Sequence, residues 1–107
     1  MTIITTMQPR ECFGIVVTTP TIAEKIPAPA ISRLLERHFM NDWGELDECD
    51  AECNSIAVNA SIGRIMSVYS LPGVDDKIWI ITYLQRDPIL QKDPNHCNTT
   101  VMFPSEY

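Results

Sequence analysis

Arg64-Ile65-Met66-Ser67-Val68-Tyr69-Ser70-Leu71, then Pro72-Gly73-Val74-Asp75-Asp76, then Lys77-Ile78-Trp79-Ile80-Ile81-Thr82-Tyr83-Leu84: these residues decide the fold class. Two runs rich in β-branched and aromatic residues flank a connection of hairpin length made of turn residues. That pattern predicts an antiparallel strand pair. The unbroken Ile78-Trp79-Ile80-Ile81 predicts burial on both faces of the second strand. Thr99–Phe103 reads as a further strand, and Phe13–Thr19 as one more, stopped by Pro20.

Between the first strand and the hairpin the period changes from two to about 3.6. Ile31, Leu34, Leu35, His38 and Phe39 form one helical stripe, with Ser32, Arg33, Glu36 and Arg37 on the other side. The spacing predicts a helix starting near Pro29 or Ala30 and ending at Asn41-Asp42-Trp43-Gly44. A helical turn is expected over Thr21–Ile26, with Thr21 as cap and Glu24 three positions on. A second full helix is expected after Asp47 as N-cap, with Glu48, Asp50 and Glu52 on its first turns. Its apolar stripe reads as Cys49, Cys53, Ile56, Ala57 and Ala60, and Gly63 would end it.

The fold expected is α+β: a three- to four-stranded antiparallel sheet with two helices packed on one face. The chain of 107 residues makes a single domain, 1–107. Residues 1–11 read as a flexible start, within which Met7 offers an alternative initiation point. Residues 85–98, with Asp87-Pro88 and Asp93-Pro94, read as a long loop insertion.

Composition narrows the function. The chain is 45% hydrophobic and carries 14 acidic against 8 basic residues, a net charge of −6. That argues against direct nucleic-acid binding, which needs a basic face to displace phosphate counterions. No apolar run approaches the roughly 18 residues of a membrane span. The first residues lack the basic start and apolar stretch of a secretory signal. The reading places the protein in the cytoplasm, with Cys12, Cys49, Cys53 and Cys97 as thiols rather than bridges.

The densest charge feature is acidic. Asp42, Glu45, Asp47, Glu48, Asp50 and Glu52 place six of the fourteen acids in the stretch 42–52, without a Lys or Arg among them. One reading is an anionic patch that docks on a basic partner or imitates nucleic-acid phosphate, with Trp43 as its apolar anchor. The other is an acidic helix start that complements the macrodipole. An EF-hand is excluded by the spacing and the missing Gly. Cys49, Cys53, His96 and Cys97 supply four potential zinc ligands, although neither half is a CxxC knuckle. His38 reads as a packed residue of the helical stripe. Nothing matches a nucleophile elbow, a phosphate-binding Gly loop or an H-E-x-x-H helix. No catalytic residue and no cofactor is therefore assigned. The enzymatic alternative is a metal-dependent hydrolytic or nucleic-acid-modifying activity using the acids, His38 and Arg64 or Arg86.

The motifs also have a characteristic order: His38, Asn41-Asp42-Trp43-Gly44-Glu45-Leu46, Gly63-Arg64-Ile65-Met66-Ser67-Val68-Tyr69, Lys77-Ile78-Trp79-Ile80-Ile81-Thr82, and Thr99-Thr100-Val101-Met102-Phe103-Pro104-Ser105-Glu106-Tyr107. This resembles a family of short proteins carried on plasmids and other mobile elements, over residues 38–107. Asn41 stands where the family has Gly, and residues 85–98 lengthen the connection before Thr99-Thr100. The resemblance implies a mobile-element context. By analogy it implies an accessory protein that binds a protein partner with a basic surface, such as a nucleic-acid-handling defence complex (anti-CRISPR or anti-restriction action).

Overall fold

The computed structural model describes residues 13–107 and the backbone of residues 2–3. The flexible start expected over residues 1–11 lies otherwise outside the described residues, as does Cys12. The elements in chain order are β1 (Thr2–Ile3), β2 (Ile15–Thr18), α1 (Pro20–Lys25), α2 (Ala28–Phe39), α3 (Glu48–Ala60), β3 (Gly63–Tyr69), β4 (Ile78–Leu84), α4 (Pro88–Gln91) and β5 (Asn98–Met102). A 3-10 turn at Pro104–Glu106 follows. The fold is α+β, with strand order β1-β2-β5-β4-β3.

The sheet is mixed, which corrects the all-antiparallel expectation. β3, β4 and β5 form the antiparallel meander read from the sequence, with Val68 opposite Trp79 and Trp79 opposite Met102. β2, however, runs parallel to β5, with Ile15 opposite Asn98 and Thr18 opposite Val101. A parallel pair needs a long crossover. Here the crossover is most of the chain, α1 through α4, so no βαβ alternation announces it.

Helix starts follow local chemistry. Thr19 caps α1, its hydroxyl accepting from the Ile22 N–H at 3.4 Å, and Pro20 takes the first helical turn. The helix therefore begins two residues before the expected Thr21 cap. α2 buries the whole expected stripe, Ile31, Leu34, Leu35, His38 and Phe39. Asn41, at φ +64°, turns the chain out of it. Ile31, Leu34, Leu35 and Phe39 share one core with Ile22 and Ile26 of the α1 segment and with Val16, Ile65, Ile80 and Val101 of the sheet. Ile80 and Ile81 are both buried, so the middle of β4 is covered on both faces.

α3 starts as expected. The Asp47 carboxylate accepts from the Asp50 N–H at 2.8 Å. Of its expected apolar stripe, only Ala57 is buried. Cys49, Cys53 and Ile56 face solvent, while Asn54 and Ala57 are the buried positions. The reason lies on the outer edge of β3. The Asn54 amide donates to the Met66 carbonyl at 2.7 Å and accepts from the Met66 N–H at 3.1 Å. One side chain thus does for Met66 what a neighbouring strand would do, and its position turns the cysteine face outward. Asn54→Ala should cost about 2 kcal/mol, because it strands a backbone donor and acceptor in a partly buried place. Urea unfolding checks this, with exposed Asn59→Ala expected to stay within about 0.5 kcal/mol of the parent.

Residues 85–98 are not one long loop. Asp87 caps α4 by accepting from the Ile89 N–H at 2.9 Å, and Pro88 occupies its first turn. Asp93 then closes a turn by accepting from the Asn95 N–H at 3.0 Å, and β5 begins at Asn98.

Candidate functional site

The acidic segment is held against the sheet by backbone bonds. The Val68 N–H donates to the Trp43 carbonyl at 3.1 Å, and the Glu45 N–H donates to the Val68 carbonyl at 2.7 Å. Gly44 therefore bridges to Val68 in a parallel sense. Together with Asn54 at Met66, this closes the outer edge of β3, which would otherwise offer unpaired donors and acceptors to any passing strand.

The six acids have different occupations. Asp42 pairs with Arg37 at 2.7 Å, and the guanidinium hydrogen bond holds its carboxyl below the usual carboxylate range. Arg37 also lies 4.7 Å over the Tyr69 ring. The Tyr69 hydroxyl donates to the Asp42 carbonyl at 2.6 Å, and burial pushes its own pKa up to about 12. Glu45 pairs with Lys77 at 2.6 Å, whose ammonium likewise lowers its pKa. Asp47 caps α3. Glu48, Asp50 and Glu52 are exposed, and among the described residues no ion pair engages them. Exposed pairs of the Arg37–Asp42 kind stabilise little. Their effect here is to remove two of the six charges and leave the anionic field on the first turns of α3.

The same helix displays apolar atoms beside those charges. Cys49, Cys53 and Ile56 recur at helical spacing on the solvent side, with Ile56 63% exposed. Trp43 is half-buried and packs against the core, with its indole Nε1 inside and without a hydrogen-bond partner. Most of the Trp43 ring thus serves the fold, and Ile56 is the apolar group the surface presents.

The other expected groupings come apart. Cys49 and Cys53 stand exposed on α3 while Cys97 is buried beside the backbone of Gly14. Among the described residues, no three His, Cys, Asp or Glu side chains lie together as metal ligands. The zinc set Cys49, Cys53, His96 and Cys97 is therefore not assembled. Nor is the enzymatic set of acids, His38 and Arg64 or Arg86. His38 is 0% exposed and bonds through both ring nitrogens, to Ser67 Oγ and to Thr82 Oγ1.

Sequence reading missed a second concave region at the far end of β3. Arg64, Tyr83 and Asn98 stand opposite one another on three adjacent strands. With Gln85, Asn95 and His96 they line an open cleft of about 530 Å³, whose apolar part is Ile62 and Leu84. The signal available in the sequence was weak, because the register alone aligns these residues.

Comparison with protein-family models, with curated proteins and with solved structures found no match to this chain. What the structure defines is an α+β domain with a mixed sheet, one face carrying helices and one edge closed by an acidic segment. Among the described residues no helix is long and apolar enough to cross a membrane.

Proposed function

We propose that this protein is a non-catalytic binding module that docks α3 on a basic surface of a protein partner. One observation carries the reading. Asp47, Glu48, Asp50 and Glu52 stand exposed on the first turns of a helix whose outer side also exposes Cys49, Cys53 and Ile56. Acids at a helix start are ordinary. An apolar stripe at helical spacing turned to solvent beside them is not, and it fits a helix that lays one face into a partner's groove.

The partner that matches is a protein with a shallow apolar groove rimmed by Arg and Lys. Charge complementarity would steer the encounter, and Ile56 would supply buried apolar area. A nucleic-acid channel is such a surface, and carboxylates opposite its Arg and Lys would occupy the places of phosphates. With the motif order that resembles proteins of plasmids and mobile elements, this makes a defence complex of the host, a CRISPR effector or a restriction enzyme, the class of target. The action is obstruction, in the cytoplasm, with neither cofactor nor direct nucleic-acid contact.

The test is capture from host lysate with tagged wild type beside Glu48→Gln/Asp50→Asn/Glu52→Gln, read by mass spectrometry. These three positions are chosen because no ion pair inside the described fold uses them. A nucleic-acid-handling complex retained by wild type and lost by the variant is the expected result. Identical capture by both proteins would refute the reading.

A further inference from the structure

The cleft at the start of β3 has the opposite chemistry to the rest of the molecule. The chain carries 14 acids, yet the nine residues lining this cleft include no Asp or Glu. They include instead Arg64, His96, Tyr83 and the amides of Gln85, Asn95 and Asn98. Its volume lies within the range of small-molecule sites, and apolar walls with a few convergent polar groups are their usual make-up.

The polar groups are held in place from behind. Arg64 donates from Nη1 to the Tyr107 hydroxyl at 2.6 Å, and its guanidinium lies 5.9 Å from the centre of the Tyr107 ring. Tyr107 in turn packs edge-on against Trp79, with ring centres 5.7 Å apart. Among the described residues no carboxylate pairs with Arg64, so its charge is not cancelled. His96 is oriented by Asp93, whose carboxylate meets Nδ1 at 2.7 Å. A carboxylate oxygen only accepts, so Nδ1 is the nitrogen that carries the proton in this contact. Asp93 itself is fixed by the Asn95 N–H, the bond that most lowers its pKa. A side chain braced by a second shell is the arrangement expected of a group that waits for a ligand.

We propose that this cleft binds a small organic anion: an apolar body bearing a carboxylate or a phosphate group. Arg64 and His96 take the anionic oxygens, Arg64 through the fork of donors left by its bond to Tyr107. Ile62 and the Tyr83 ring take the apolar body. The cleft lies at the start of β3, beside the C-terminal end of α3 and away from the acidic first turns of that helix, and it stands whether or not those turns dock a protein.

The experiment is a backbone and side-chain amide NMR titration of the full chain with benzoate and, separately, with phenyl phosphate. Saturable shifts confined to Arg64, Tyr83, His96, Asn98 and their neighbours are expected with at least one probe. The tighter of the two names the class, carboxylate or phosphate. Arg64→Gln should weaken that probe at least about tenfold, the loss of one charged hydrogen-bonding group. His96→Gln should weaken it less, and Glu48→Gln not at all. Arg64 is exposed, so an unchanged spectrum elsewhere will show that its variant folds. Shifts that stay linear to the solubility limit with both probes would overturn the proposal. So would equal affinity of Arg64→Gln and wild type.

Discussion

Lowering the pH from 6.5 to about 4.5 should remove roughly 2 kcal/mol of folding stability through one residue, His38. Burial lowers the His38 pKa from 6.5 to about 3. Below pH 6.5 the unfolded chain takes up a proton that the folded chain refuses until about pH 3. The stability is thus complete above 6.5 and is lost as the pH falls, by about 1.4 kcal/mol per unit. The hydrogen-bond chain explains the refusal. Thr99 spends its single hydroxyl proton on the Phe13 carbonyl at 2.9 Å. Thr82, 2.7 Å away, must then donate to Thr99 and accept from His38 Nε2–H at 2.8 Å. That leaves Nδ1 as the acceptor for the Ser67 hydroxyl. The network is complete with a neutral ring, and its further neighbours are the rings of Phe13 and Phe39, which solvate no charge. Asp42 and Glu45 act in the same direction but lower on the scale. Their folded pKa values lie below the ordinary carboxylate range, so their contribution is present above it and lost further into acid. Urea unfolding at pH 7, 5.5 and 4.5 reads the loss, and the imidazole resonances of His38 should keep neutral-form shifts to pH 4.5. A His38 titration centred near 6.5, or flat stability over this range, would contradict the assignment.

Gly44→Ala should destabilise the fold by roughly 2–5 kcal/mol, the sum of a left-handed conformation and a collision in a packed place. Gly44 sits at φ +68°. A Cβ there would collide with the Val68 carbonyl oxygen and stand 2.6 Å from Tyr69 Cδ1. Both are fixed: the first is strand backbone, and the second belongs to a fully buried ring. Relief requires the acidic segment to leave the edge of β3, with loss of the two backbone bonds at Val68. Gly73 is the control. Its φ is +80°, but nothing lies within 4 Å of an added Cβ. Gly73→Ala should therefore cost only the conformational part, about 1 kcal/mol. Denaturant midpoints of the two variants measure the difference. Equal losses would mean that the contact with Val68 is not a constraint.

What could be read from the sequence followed the range of the interaction concerned. The α2 stripe, the Asp47 cap and the β3–β4 hairpin rest on neighbours a few residues apart, and all three are present. The Asp87 cap and Pro88 were equally local signals, hidden inside a stretch read as loop. The parallel β2–β5 pair joins residues more than eighty positions apart, and no local pattern encodes it. α3 shows a different difficulty. Periodicity put Cys49, Cys53, Ile56, Ala57 and Ala60 on one face, of which Ala57 is buried while Cys49, Cys53 and Ile56 are exposed. Asn54 set the helix rotation instead, through bonds to Met66 made by a residue that composition would class as a solvated amide. The acidic segment was legible as charge and its Asp47 cap as a cap, but not the pairing of Asp42 and Glu45, because Arg37 and Lys77 reach them from elsewhere in the fold.

Docking through α3 is tested most directly by the affinity of the captured partner as a function of salt. Wild type should bind with a steep salt dependence, and Glu48→Gln/Asp50→Asn/Glu52→Gln should bind at least about tenfold more weakly with a shallower slope. Ile56→Ser should weaken binding without changing the slope. Affinity and salt slope unchanged in the triple variant would show that the acidic face of α3 is only a solvated helix start.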